Sequence, residues 1–395
     1  MKKQVEGSRA IAETVAMCRP EVICAYPITP QTHIVEALSE LVKSGDLAPC
    51  AFVNVESEFA ALSVAIGASA AGVRAYTATA SQGLLYMTEA LYNAAGLGLP
   101  IVMTLGTRAI GAPINIWNDH SDAMALRDAG WIQLFAESNQ EAADLHVLAF
   151  RLAEELSVPV MVCVDGFVLT HAFEPVDVPC QGDVDAFLPP FVPREVLDPA
   201  DPVTIGALVG PEAFTEVKVI AHTKLLRALE RIPTLATEFE AKFARTSGGL
   251  VRSYRTQDAE TVVVALGSVN GTIQEVVDAM RADGHAVGSL SVTTFRPFPF
   301  AAVRHVLKHA ARVVVLEKNL AVGMGGVLAS DVREALGAGV PSVHTVIAGL
   351  GGRAITCASL RRVLEKACFG TLELLHFLDL DRTLVQAVLA KEVHL

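Results

Sequence analysis

Short unbroken apolar runs alternate with stretches of helical periodicity along most of the chain. EVICAYP is an apolar run ended by proline, and THIVEALSELVKSG then shows apolar residues at helical spacing. The pattern recurs. AFVNVE reads as a strand and SEFAALSVAIGASAAG as a helix. RAYTATA is strand-like, SQGLLYMTEALYNAAG helical and LPIVMTLG strand-like. Past the irregular GTRAIGAPINIWNDHSD, the strand WIQLFA, the helix NQEAADLHVLAFRLAEEL and the strand PVMVCVDG continue the series. Strands that are apolar without alternation, separated by helices, predict a parallel sheet covered on both faces.

From Phe173 to about Pro202 the chain is rich in proline and aspartate, which predicts an extended connection. A helical arm over 212–245 follows, with a break expected at Pro233. A second alternating series starts at ETVVVALGS. It runs through GTIQEVVDAMRADG, AVGSLSV, AAVRHVLKHA, RVVVLEK, GGVLASDVREALG and PSVHTVIAG to the helix SLRRVLEKAC. The expected fold class is therefore α/β, with two parallel-sheet, three-layer domains. The first covers 1–172, extending through about 245 with its linker and arm. The second covers 256–375, and a helical tail follows over 376–395. The two series share no sequence repeat.

Composition narrows the function classes. The chain has 395 residues, 52% of them hydrophobic and only 19% charged, which excludes a disordered or fibrous protein. Such an apolar chain is expected to hide surface against other subunits. A net charge of −12 without a basic run argues against nucleic-acid binding. No apolar stretch reaches membrane-span length, and the start lacks a signal-peptide pattern, so a cytoplasmic location is expected. The seven cysteines are scattered with no C-x-x-C, which suits a reducing compartment and offers neither a zinc site nor an iron–sulfur cluster. Any redox centre then belongs to another chain.

Ligands of open parallel sheets collect at the carboxyl ends of the strands. Those ends carry Tyr26-Pro27-Ile28-Thr29-Pro30, Glu56 and Glu58, Thr79-Ala80-Ser81-Gln82-Gly83, Thr107-Arg108 and Asp165-Gly166. Thr29, Ser81 and Asp165 also fit helix caps or turns. Glu58 opens an alanine-rich apolar helix, where a carboxylate is a dipole partner or a buried functional group; Glu56 could fill the first role alone. Arg108 suits either capture of a small carboxylate or an ion pair with Asp119 or Asp122. Asn118-Asp119-His120-Ser121-Asp122 has the look of a metal-ligand run, but nothing else completes a site, and loop-anchoring hydrogen bonds are expected there. Gly323–Gly326 and Gly349–Arg353 are conceivable phosphate cradles that lack the full motif spacing, so close packing is expected for both.

Together AYPITPQTHIVEAL, VESEFAALSVAIGASAAG, TATASQGLLYM, APINIWNDHSD, TTFRPFP, VVVLEKNLAVGMGGVL and VIAGLGGR resemble the α subunit of 2-oxoacid:ferredoxin oxidoreductases, best known from pyruvate synthase. The likeness covers nearly the whole chain, least clearly 174–255. It implies a pyrimidine-binding thiamine-diphosphate fold followed by a transketolase C-terminal-like domain. It implies oxidative decarboxylation of a 2-oxoacid, pyruvate foremost, with electrons passed to iron–sulfur clusters elsewhere.

By the same resemblance, Glu58 is the catalytic glutamate at the cofactor's aminopyrimidine. Thr29 and Arg108 bind substrate, and Tyr26, Pro27, Ile28, Ser81 and Gln82 line the cofactor with Glu58. No metal site is implied in this chain. The diphosphate–Mg²⁺ half of the site is implied in a β subunit, and the clusters in a ferredoxin-like subunit. A γ-type subunit and coenzyme A complete the expected partners. The resemblance leaves aryl glyoxylates and oxalate as alternative substrates, and a non-catalytic scaffold subunit as an alternative role.

Overall fold

The computed structural model describes residues 2–337 and 342–392. Its strands, in chain order, begin with β1 (Lys3–Glu6), β2 (Val22–Ala25), β3 (Ala51–Asn54), β4 (Ala75–Thr79) and β5 (Val102–Thr107). They continue with β6 (Ile132–Phe135), β7 (Val160–Asp165), β8 (Phe173–Val176), β9 (Val251–Tyr254) and β10 (Thr261–Ala265). β11 (Val287–Val292), β12 (Thr294–Arg296), β13 (Arg312–Glu317), β14 (Ser342–Ile347) and β15 (Leu375–Phe377) complete the set. The first sheet has the order β12-β6-β7-β5-β4-β2-β3 and the second β15-β14-β13-β10-β11-β9. All neighbours are parallel except at two edges, β12 on β6 and β9 on β11. Two parallel-sheet, three-layer units are what non-alternating apolar strands require, since both faces of each sheet must be covered.

Each face of the first sheet has its own core. Helices Gly7–Met17, Thr32–Ser44 and Asn139–Leu156 bury Ile11, Val15, Ile34, Leu38, Leu148 and Phe150 on one side. Helices Glu58–Ala70 and Thr88–Leu97 bury Leu62 and Leu91 on the other. That second core does not stop at the first unit. It runs on through Val262, Leu290, Phe295, Val303 and Leu328 of the second, so the two units share one hydrophobic interior.

Several local expectations change. Pro233 lies inside a single helix, Phe214–Phe243, and does not break it. Ala228 and Ile232 before the proline and Leu235 and Phe239 after it bury in one core, and Arg231 pairs with both Glu155 and Glu238. Packing on both sides outweighs the one lost backbone bond. The connection after Phe173 is not merely extended: β8 pairs antiparallel with β1, and a helix spans Gln181–Phe187. SQGLLYMTEALYNAAG divides into helices Ser81–Tyr86 and Thr88–Leu97 at Met87. β15 occupies the first residues assigned to the tail, whose helix is Arg382–Glu392; residues 393–395 lie outside the described ones.

A buried ionic knot fixes the seam between the units. Asp165, at the end of β7, receives Lys318 Nζ at 2.9 Å and the backbone N–H and hydroxyl of Ser268 at 3.0 and 2.5 Å, all from the second unit. His120 Nε2 lies 2.7 Å away on the first-unit side, and the His120 N–H donates to the Lys318 carbonyl at 2.7 Å. Burial alone would raise the Asp165 carboxyl, but Lys318 and His120 outweigh it and hold it well below the usual carboxylate range. Its stabilising contribution is therefore in place above pH ~4 and fades as acid protonates it. Lys318→Met is expected to cost about 3–5 kcal/mol, because it leaves a buried carboxylate without its cation. Chemical denaturation checks this; an unchanged midpoint would remove the knot from the list of what holds the units together.

Candidate active site

Glu58 sits where local chemistry puts it. Ser57 caps the helix, accepting from the Ala60 N–H at 3.2 Å, and Glu58 is the acidic residue of the first turn. Glu56 falls before the cap and is exposed, so the helix-dipole role that it could have filled is not its own. Gly83, in the next helix, passes close over Glu58. A β-carbon there would come within 2.5 Å of Thr79 Oγ1 and 2.8 Å of Glu58 Oε1. Only glycine permits that approach.

The loop after β2 carries Tyr26, Pro27, Ile28 and Thr29. Gln31 ties it down, donating through Nε2 to the Tyr26 carbonyl at 2.9 Å and, more loosely, to that of Ala78 at 3.4 Å. Arg108 reaches the same loop. Its Nη1 donates to the Thr29 carbonyl at 2.9 Å and its Nε to the Asn115 carbonyl at 3.1 Å. Thr29 and Arg108 are thus brought together. Arg108 is only 5% exposed, yet among the described residues no carboxylate lies within ion-pair distance of its guanidinium. The ion pair with Asp119 or Asp122 does not form. Burial pulls the Arg108 pKa down, with the Asp122 charge acting against it.

Asp122 has a different task. Its Oδ2 accepts the backbone N–H groups of Ser81 at 2.8 Å and of Arg108 at 3.0 Å, and its Oδ1 that of Ala123 at 2.8 Å. One carboxyl oxygen therefore joins the ends of β4 and β5. Ser81 opens its helix with φ +49°, a left-handed conformation that costs a serine of the order of 1–3 kcal/mol. The Asp122 contact and a 2.5 Å hydroxyl bond to the Ala109 carbonyl hold it there. The Ser81 hydroxyl also lies 2.5 Å from Gln82 Oε1.

The rest of the Asn118–Asp122 run anchors the loop, as expected. Asn118 Nδ2 donates to Thr107 through its carbonyl and hydroxyl, Asp119 caps the Ser121 N–H and accepts from the Gly351 N–H, and His120 joins the Asp165 knot. No group of three metal-ligand atoms occurs in this run among the described residues. The two glycine-rich pieces also resolve into packing. The N–H groups of Val327, Leu328 and Ala329, which would greet a phosphate after Gly326, are taken by the Glu317 carboxylate at 2.7–3.1 Å. A β-carbon at Gly326 would lie 2.1 Å from that carboxylate. Gly349–Gly352 lies against Asn115 and Trp117 of the first unit.

Sequence reasoning missed Gln31 and Gly83 as builders of this edge, and Asp122 as the brace of Ser81 and Arg108. A glycine directly after Ser-Gln at a strand end was the one available signal. Three buried oxygens along the edge, Gln31 Oε1, Thr79 Oγ1 and Asn118 Oδ1, have no hydrogen-bond partner among the described residues.

The comparisons decide the family. Residues 13–237 match the family model "Pyruvate flavodoxin/ferredoxin oxidoreductase, thiamine diP-bdg" and residues 259–360 match "Pyruvate:ferredoxin oxidoreductase core domain II". The chain belongs to the pyruvate:ferredoxin oxidoreductase family. It is 49% identical to pyruvate synthase subunit PorA of Methanosarcina barkeri over 92% of this chain and 91% of that one. It is 38% identical to ketoisovalerate oxidoreductase subunit VorA of Pyrococcus horikoshii over 92% and 93%. A solved 2-oxoglutarate:ferredoxin oxidoreductase from Magnetococcus marinus, with 2-oxoglutarate, coenzyme A and succinyl-CoA bound, superposes with a TM-score of 0.74 at 19% identity. That match covers 93% of this chain but 65% of the other. A split-gene transketolase matches with a TM-score of 0.55 at 14% identity, covering 93% and 99%.

The Asp122 brace is testable by pH. Burial lifts its carboxyl to about 8 against the pull of three backbone donors. A raised acid stabilises the fold fully below its ordinary pKa, and the contribution is lost as pH climbs toward 8. D122N is expected to cost about 1–3 kcal/mol at pH 5, with the gap to wild type narrowing by pH 8.5. Paired melting temperatures across that range check it; a constant gap would contradict the brace's titration.

Proposed function

We propose that this chain is the catalytic α subunit of a multi-subunit, thiamine-diphosphate-dependent 2-oxoacid:ferredoxin oxidoreductase, with pyruvate as substrate. Arg108 carries the proposal: a buried guanidinium bound to carbonyls, beside Thr29 and with no counter-ion among the described residues, is suited to a small carboxylate. Identity is higher to the pyruvate synthase subunit than to the ketoisovalerate one, which favours pyruvate.

The residues at the sheet edge fit the cofactor's aminopyrimidine. Glu58 is nearly buried against Gly83, and the orphaned Thr79 hydroxyl lies beside it. In this role Glu58 holds and exchanges a proton at the ring nitrogen, while Tyr26, Pro27, Ile28, Ser81 and Gln82 shape the ring's seat. When bound, thiamine diphosphate supplies a carbon nucleophile and an electron sink for loss of CO₂. Arg108 and Thr29 hold the substrate carboxylate until it leaves as CO₂.

The remaining half of the site is assigned to partners. Large apolar side chains stand exposed around this edge, among them Phe59, Tyr86, Ile114 and Trp117. Such a patch is suited to burial by another subunit. We assign the diphosphate and Mg²⁺ to a β subunit, the iron–sulfur clusters to a ferredoxin-like subunit and acyl transfer to coenzyme A with a γ-type subunit. All seven cysteines are free, which supports a reducing, cytoplasmic setting. No helix among the described residues is long and apolar enough to cross a membrane.

Arg108→Lys in the assembled complex tests the proposal. A point charge replaces a planar fork, so KM should rise at least as much as kcat falls, by about 2–5 kcal/mol in all. The melting temperature should fall only by what the lost hydrogen bonds to the Thr29 and Asn115 carbonyls cost, about 1–3 kcal/mol, because no carboxylate among the described residues pairs with the guanidinium. A panel of 2-oxoacids assayed by viologen reduction, with and without coenzyme A, reads the substrate. An unaltered KM with a destabilised protein would overturn the substrate role, and preference for a branched or aryl 2-oxoacid would overturn pyruvate.

A further inference from the structure

Away from the Glu58 edge, three segments remote in sequence bring Glu6, His33 and His171 together. Glu6 ends β1, His33 lies in the first turn of the helix that follows the Thr29 loop, and His171 lies in the turn after Asp165-Gly166. One ligand atom from each lies within 4.8 Å of the other two. His33 Nδ1 is 2.7 Å from Glu6 Oε1, and the two imidazoles lie with centroids 4.6 Å apart. His171 is oriented by Thr170, whose hydroxyl lies 2.8 Å from its Nδ1, and by Phe167, 4.7 Å away centroid to centroid.

We propose that Glu6, His33 and His171 form a binding site for a divalent transition cation of the zinc class. Two imidazoles and one carboxylate are a donor set that such an ion accepts, with solvent filling the remaining position beside the exposed His33. Bonds of about 2.0–2.2 Å require small side-chain rotations to draw the three atoms inward. The Thr170 contact supplies the outer hydrogen bond that commonly orients a ligating histidine. The ion's effect follows from where the ligands sit. It clips β1 to the helix behind the Thr29 loop and to the turn behind Asp165, so it stabilises the frame of the active edge without touching substrate.

Untagged full-length chain, titrated with Zn²⁺ in calorimetry and with Co²⁺ in visible absorption, tests the site. The expected result is one ion per chain, the intense visible bands of low-coordinate Co²⁺, and a melting temperature that rises with Zn²⁺. His33→Gln and His171→Gln should each weaken binding by about 10–100-fold or more, the loss that even outer partners of a metal site cause. His33 is exposed, so His33→Gln should melt like wild type in chelator. Failure of the native chain to bind Zn²⁺ below millimolar concentration would overturn the proposal. So would unchanged affinity in the His33→Gln, His171→Gln double variant. Neither outcome bears on Arg108 or Glu58.

Discussion

The carboxylate of Asp165 is the point on which the molecule turns. It is buried to 1% exposure, and a charge so placed survives only with partners. Those partners come from both units: His120 from the first, Lys318 and Ser268 from the second. The shared hydrophobic core brings the units together without direction, whereas the ionic knot sets one register between them. Because Asp165 ends β7, beside Thr107 on β5, that register is set at the strand ends that carry the candidate site.

From this anchor the edge is assembled in steps. His120 belongs to the loop whose next acid, Asp122, braces Ser81 and Arg108 through their backbone N–H groups. With its backbone held, the Arg108 side chain reaches across to the Thr29 carbonyl. Gln31 secures the same loop from behind, and Gly83, lacking a β-carbon, leaves room for both Glu58 and Thr79. The cofactor contacts we propose therefore rest on groups that themselves touch no cofactor. Three buried acids, Asp122, Asp165 and Glu317, satisfy backbone or lysine donors inside the protein, whereas Glu58 is the one for which we propose a chemical role.

Much of this was legible in the sequence, because strands buried on both faces leave a plain apolar signature and their ends can be counted off. YPITP, SQGL and the Thr-Arg pair fall at strand ends in the structure as they do in the pattern. What escaped was decided by tertiary contacts. The three residues of β12 carry too little pattern to reveal that they leave the second unit and pair with β6. Pro233 carries a strong local signal that packing on both sides overrides. Glu317 looks like an ordinary strand-end acid, yet it fills the helix N-terminus that the glycines had suggested for a phosphate. Arg108 stands near two aspartates in sequence, and nothing there shows that one turns to backbone N–H groups and the other to a distant glycine.

Glu58, we propose, serves as the proton-exchanging group of a thiamine site shared between subunits. This role is tested most directly by Glu58→Gln in the assembled complex loaded with thiamine diphosphate, following exchange of the cofactor's C2 proton by NMR after quenching. A neutral amide cannot cycle a proton, so exchange should slow by about 10²–10⁴-fold while the complex stays assembled and the cofactor stays bound. Exchange at the wild-type rate in an intact, loaded complex would contradict the account.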